Sequence, residues 1–198
     1  MTIGLTFEVP DVWYRWDPDD AVFAASEDLD ARIAQRPALS PVRQTLLRLL
    51  LDFWDDAADQ QAVAAAALVE PAPDAALVAS LVVVEAERDH PGDEAAEIAR
   101  LLDVLGAKSP FDIRPRTVDA VDLPTGRAVR LCRLARTDGA DSRETEVVVE
   151  MVQHWMPDPG HETMVVLAGS SPSLHAADEL ARAFDTIARS VEFHMIPG

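Results

Sequence analysis

The chain has 198 residues, 48% of them hydrophobic, with 35 acids against 17 bases and a formal net charge of −18. That length and apolar content suffice for one good core, and a single domain over residues 1–198 is expected. The charge is spread, with 12 acids to 5 bases over 1–60, 10 to 3 over 61–112 and 13 to 9 over 113–198, so a negative field opposes contact with DNA, RNA or an anionic membrane face.

The longest weakly charged stretch, residues 62–84, is interrupted by Glu70, Pro71, Pro73 and Asp74 and does not read as a membrane span. The first residues show neither a positive stretch ahead of an apolar segment nor a lipid-anchoring cysteine, so a cytoplasmic location is expected. The single cysteine, Cys132, excludes an internal disulfide and reads as a core thiol.

In chain order, Ile3, Leu5 and Phe7 alternate with polar neighbours, which predicts a short first strand ended by Pro10. Trp13, Tyr14 and Trp16 then stand among Asp11, Asp17, Asp19 and Asp20. This is either a surface for a ligand or partner or a loop pinned to the domain by its aromatics. A modest helix is predicted over 26–35. Ser40-Pro41 looks like an N-cap followed by proline at the first helical position. The helix it opens, 41–59, has a stripe of Val42, Leu46, Leu49, Leu50, Phe53 and Ala57, widened by Leu47, Leu51 and Trp54. Asp55, Asp56 and Asp59 crowd its C-terminal end, where the macrodipole disfavours anions by a few tenths to about 1 kcal/mol. Local structure does not ask for them, and together with Trp13 and Trp16 they are candidate contacts for another protein, one with a basic surface.

Residues 62–69 and 76–85 are apolar runs divided by prolines and predict a hairpin of buried strands despite the alanines. Asp93 should cap a short helix closed by Gly106 in a left-handed conformation. Thr117 to Val121 alternates as a strand that turns at Leu123-Pro124-Thr125-Gly126. Arg127, Arg130, Arg133 and Arg136 recur every third residue. On a helix they would form one basic ridge; on a strand Arg127 and Arg133 take one face, Arg130 and Arg136 the other. The strand is preferred, because turn residues flank it on both sides, and the arginines then bridge carboxylates.

The stretch 143–193 organises the whole. Residues 145–155 read as a strand with Val147, Val149, Met151 and Trp155 on the core side and Glu150 and His154 on a wetter one. Pro157-Asp158-Pro159-Gly160 reverses the chain into a central return strand at 164–168. Ser171-Pro172 looks like a second cap-plus-proline start. The helix after it repeats Leu174, Ala177, Leu180, Phe184 and Ile187, with Asp178 facing Arg182 and Asp185 facing Arg189 one turn on.

No phosphate-binding glycine loop, His-Glu-x-x-His, paired Cys-x-x-Cys or Gly-x-Ser-x-Gly occurs, so no catalytic residue and no cofactor is assigned. His154 and His161 flank one turn and make the best metal constellation, with Glu162 or Asp158 as a third ligand. Trp155 and Arg130 are the candidates for a small ligand.

The pattern EVVVEMVQHWMPDPG at 146–160, MVVLAGSSPSL at 164–174 and FDTIA at 184–188 resembles a group of uncharacterised actinobacterial proteins similar to the Mog1/PsbP-like fold. The group's pattern is a valine-rich strand ending near Gln-Tyr/Trp-x-x-Pro, a return strand into Ser-x-Pro, and a helix with Phe-Asp-x-Ile-Ala. Ala168-Gly169 departs from it. Sixteen of the seventeen bases are arginine, a usage that also resembles such genomes. The resemblance implies an α+β fold, an antiparallel sheet of about six strands sandwiched by helices. It also implies an adaptor or assembly role rather than an enzyme.

Overall fold

The computed structural model describes residues 2–16, 21–70, 76–89, 92–137, 147–158 and 162–196. Nine strands and four α-helices are formed among them: β1 (Thr2–Thr6), β2 (Tyr14–Arg15), α1 (Ala21–Gln35), α2 (Arg43–Asp59), β3 (Ala64–Glu70), β4 (Leu77–Glu87), α3 (Glu94–Gly106), β5 (Thr117–Leu123), β6 (Gly126–Thr137), β7 (Val147–Pro157), β8 (Thr163–Ser171), α4 (Ala177–Arg189) and β9 (Glu192–Ile196). Seven strands make one antiparallel sheet in the order β2-β3-β4-β8-β7-β6-β5, and β1 pairs with β9 in a separate ribbon. This is the expected α+β sandwich, with seven strands in the main sheet rather than about six. The ribbon is not expected from short-range pattern, because β9 takes its partner β1 from the other end of the chain.

The order follows from two kinds of connection. β3 and β4 form a hairpin with Ala66 opposite Leu81, so the alanine run is a strand as expected; the methyls of Ala65 and Ala67 let α1 and α2 pack on one face. The chain then crosses through α3 to the far edge and returns as the meander β5-β6-β7-β8, which seats β8 in the centre between β4 and β7. Gly126, at φ 128°, makes the β5–β6 turn, a conformation that a side chain would oppose.

Helices cover both faces. On one, α1 and α2 place Leu29, Leu46, Leu50 and Trp54 on Ala65, Ala67 and Val82, while α3 sets Ile98 and Leu101 on Val129, Met164 and Val166. On the other, α4 lays Leu180, Phe184 and Ile187 across Leu81, Val152 and Leu167. Each of these large side chains removed from water contributes roughly 1.5–3 kcal/mol.

Several local expectations change in tertiary context. A 3-10 segment, Pro37–Val42, leads into α2, and Ser40 gives no cap. Ser171 still belongs to β8 as a partner of Glu150; its hydroxyl donates to the Val78 carbonyl at 2.5 Å and accepts from the Ser173 amide at 2.9 Å. α4 therefore begins only at Ala177, after a 3-10 turn. Asp93 does cap α3, accepting from the Ala96 amide at 2.9 Å. Gly106 ends the helix without a positive φ. The turn expected at 137–139, after the arginine run, and that at 157–160 both lie partly outside the described residues.

On β7 the side expected to be wetter is the more buried one, while on the expected core side Val149, at 8% exposed, is buried and its neighbours only partly so. Glu150 and His154, 7% and 1% exposed, lie under α4, whereas Val147 is 44% exposed and Met151 and Trp155 are half-buried. Valines occupy both faces, so alternation alone could not say which was inner.

α4 meets β8 where Gly169 has no side chain: a Cβ there would overlap the Phe184 ring. Gly169→Ala is expected to destabilise the protein by roughly 1–3 kcal/mol through forced repacking. Denaturant unfolding, with the midpoint falling and the slope unchanged, checks this.

Candidate functional site

The polar groups of the molecule converge in a seam between α4 and the β6–β7 pair. Arg130 and His154 sit opposite each other in the ladder, so their side chains rise from the same face, and Asp185 descends on them from α4. Arg130 Nε donates to Asp185 Oδ1 at 2.7 Å and its terminal nitrogen to Oδ2 at 3.2 Å. His154 Nε2 lies 2.9 Å from the same Oδ1.

Burial would raise the Asp185 pKa, but the hydrogen bonds from His154 and Arg130 outweigh it and hold the carboxyl at about 2. The ionised carboxylate can only accept, so Nε2–H donates. Nδ1 of His154 is enclosed and has no hydrogen-bond partner among the described residues.

Beside the seam, four residues back along β7, Glu150 accepts from both sides. A terminal nitrogen of Arg114 reaches its two oxygens at 3.0 Å each, and Cys132 Sγ donates to Oε1 at 3.1 Å. Burial, reinforced by that bond to a carboxylate, pushes the thiol up to about 11. At neutral pH it is protonated and a poor nucleophile. The strand assignment of the arginine run stands, and Arg130 bridges a carboxylate as expected. The carboxylate is Asp185, which an i,i+4 rule had assigned to Arg189. Neither that pair nor Asp178–Arg182 forms among the described residues. Asp185, Glu150 and Arg114 were missed because their partners lie 31 to 55 residues away in the chain.

The other candidates are scattered. Trp155 belongs to the α3 face of the sheet, opposite to Arg130, so the two do not line one ligand site. Trp13 is 4% exposed and meets Phe184 edge-on at 5.8 Å; it is a core residue, not a presented partner contact. Trp16 is half-buried against the α1–α2 core. The pinned-loop reading describes this stretch: Arg32 donates to the Trp13 and Asp11 carbonyls at 2.7 and 3.0 Å and to that of Val12, and stacks over Tyr14 at 3.9 Å. Beside it an open groove of about 630 Å³ runs between the loop and α1, with Arg15, Asp28, Arg36 and Glu70 in its walls.

Asp55, Asp56 and Asp59 are exposed at the end of α2. His161, the expected partner of His154, lies outside the described residues. His154 is enclosed and engaged by Asp185, and Asp158 is 4% exposed. Among the described residues no group of three or more His, Cys, Asp or Glu is arranged to hold a metal ion. No described helix is long and apolar enough to cross a membrane.

No family model matches the chain, and no curated protein does. Among solved structures it is similar to that of LpqN, described as involved in cell envelope biogenesis of Mycobacterium tuberculosis, at 11% identity and a TM-score of 0.49, over 98% of this chain and 85% of that one.

Two outcomes follow from the seam. Asp185 is more acidic folded than unfolded, so its stabilisation is full above the unfolded value near 4 and is lost as pH falls towards 2. With a third of the side chain still reached by water, this amounts to about 1–2 kcal/mol. Asp185→Asn should flatten the acid limb of stability between about pH 5 and 2, as read by unfolding at stepped pH. Iodoacetamide should alkylate Cys132 at pH 8 roughly a hundredfold more slowly than free cysteine, as followed by mass spectrometry.

Proposed function

We propose that the chain is a non-catalytic protein-binding adaptor or chaperone-like factor whose acidic surface meets a basic partner, in a bacterial secretion or assembly system. The observation that carries this is the position of Asp55, Asp56 and Asp59. All three are exposed at a helix C-terminus, where the dipole costs up to about 1 kcal/mol, and none forms an ion pair among the described residues. Stability does not explain them; electrostatic steering of a partner does.

The seam supports the same reading. Arg130 and His154 bond to Asp185 and so join α4 to the sheet, and Cys132 is held as a thiol beside Glu150. The cytoplasm as its location, and kinship with the Mog1/PsbP-like group that the α+β sandwich suits, belong to the proposal.

A second reading, a small-ligand domain, is favoured by the groove between the 10–15 loop and α1. Tryptophan fluorescence titrated with metabolite pools, alongside calorimetry with zinc for His154 and His161, separates it from the first.

Replacing Asp55, Asp56 and Asp59 together by asparagine should leave stability unchanged or slightly raised. It should weaken salt-sensitive capture of a partner from the native host about tenfold, the sum of three rim contacts below 1 kcal/mol each. Capture unaffected by the triple change, together with turnover in substrate screening, would overturn the reading.

A further inference from the structure

A second groove, of about 270 Å³, opens at the start of α4. Leu134 on β6, Leu174, Ala176 and Ala177 at the start of α4, and the exposed His175 line it. Three carboxylates line it, Glu150, Asp178 and Glu179, against one guanidinium, Arg114, which leaves a formal charge of −2 over these four groups. Asp178 and Glu179 are exposed in the first turn of α4, where the helix dipole favours acids. That account does not reach Glu150, which stands on a strand and is 7% exposed.

The ion pair of Glu150 is lopsided. Its own side chain is 9% exposed, while that of Arg114 is 57% exposed and reaches in from the segment between α3 and β5. A buried carboxylate is thus neutralised by an arm lying mostly in solvent. An incoming guanidinium can take over both 3.0 Å bonds without leaving the carboxylate unpaired, and the released Arg114 already has its water. The surround is apolar as well as acidic. Leu174 is 42% exposed in the groove, and Ile113 and Phe111, whose backbone bonds to β6 at Leu134 and Arg136, are 42% and 46% exposed.

We propose that this groove receives a basic side chain, arginine by geometry, presented with apolar neighbours by a partner protein. Glu150 takes the guanidinium, Asp178 and Glu179 draw it in, and Leu134 and Leu174 cover its methylenes. Bidentate bonding to a carboxylate favours arginine over lysine. The assignment rests on the protein-binding reading above and adds a place to it, distinct from the end of α2.

The test is a titration of the full-length, isotope-labelled chain with benzoyl-argininamide, followed by amide shifts in two-dimensional NMR. Its neutral citrulline counterpart is the control. Saturable shifts at Leu134, Glu150, Ala176 and Ala177 are expected at millimolar concentrations, with none from the control. Glu150→Gln should weaken binding about fivefold or more, and Arg114→Ala should tighten it, because the internal competitor is gone. Asp178→Asn with Glu179→Gln, surface changes that leave the core intact, should weaken it about two- to threefold; this pair decides the matter if the Glu150 variant fails to fold. Absence of groove shifts at about 10 mM, equal shifts from the citrulline compound, or weakened binding in the Arg114 variant would each overturn the assignment. Asp55, Asp56 and Asp59 changes should leave this titration untouched. Partner capture that survives while the titration fails leaves the adaptor reading standing and removes only the groove, and the converse removes only the adaptor reading.

Discussion

The structure depends on how α4 is held. Phe184 enters the space left by Gly169 on β8, and the next residue, Asp185, reaches across to Arg130 and His154. Apolar burial is strong but non-directional: the Leu180–Phe184–Ile187 stripe would tolerate some rotation or sliding of the helix over the sheet. Three hydrogen bonds to one carboxylate have fixed directions and penalise that freedom. The contact with Gly169 sets the depth, and the carboxylate sets the azimuth.

The clamp also restricts what the seam can do. An enclosed imidazole and a guanidinium both bond to one carboxylate, whose pKa they hold at about 2. Taking Asp185 away leaves the half-buried Arg130 guanidinium and the enclosed His154 Nε2 without their acceptor, which costs stability. The groups with freedom to engage something else lie at the margins: the aspartates ending α2, and the groove where Glu150 borrows its counter-charge from the exposed Arg114.

Much of the architecture was legible in the residues. The β3–β4 hairpin, the β5–β6 turn at Gly126, the strand nature of the arginine run and the central return strand all follow from turn chemistry and short-range pattern. The failures share one cause. Ser171-Pro172 has the look of a helix start, but the Val78 carbonyl, 93 residues away, engages the Ser171 hydroxyl and β8 continues through it. Asp185 has a helical neighbour in Arg189, yet a half-buried guanidinium and an imidazole across the sheet hold it more firmly than a solvated pair one turn away. Trp13 in an acidic loop suggests display, but Phe184 offers its ring an apolar enclosure.

By itself the amino-acid sequence determined the element types other than β2 and β9, the antiparallel meander and the acidic charge, because these depend on dihedral preference, side-chain period and net charge, all properties of neighbouring residues. Tertiary structure alone decided which face of β7 is inner, where α4 begins, which partner each charge takes and that Glu150 borders a groove. These turn on pairings between residues tens of positions apart, where burial makes the strength of an ion pair or hydrogen bond depend on the surroundings, and no local pattern encodes that.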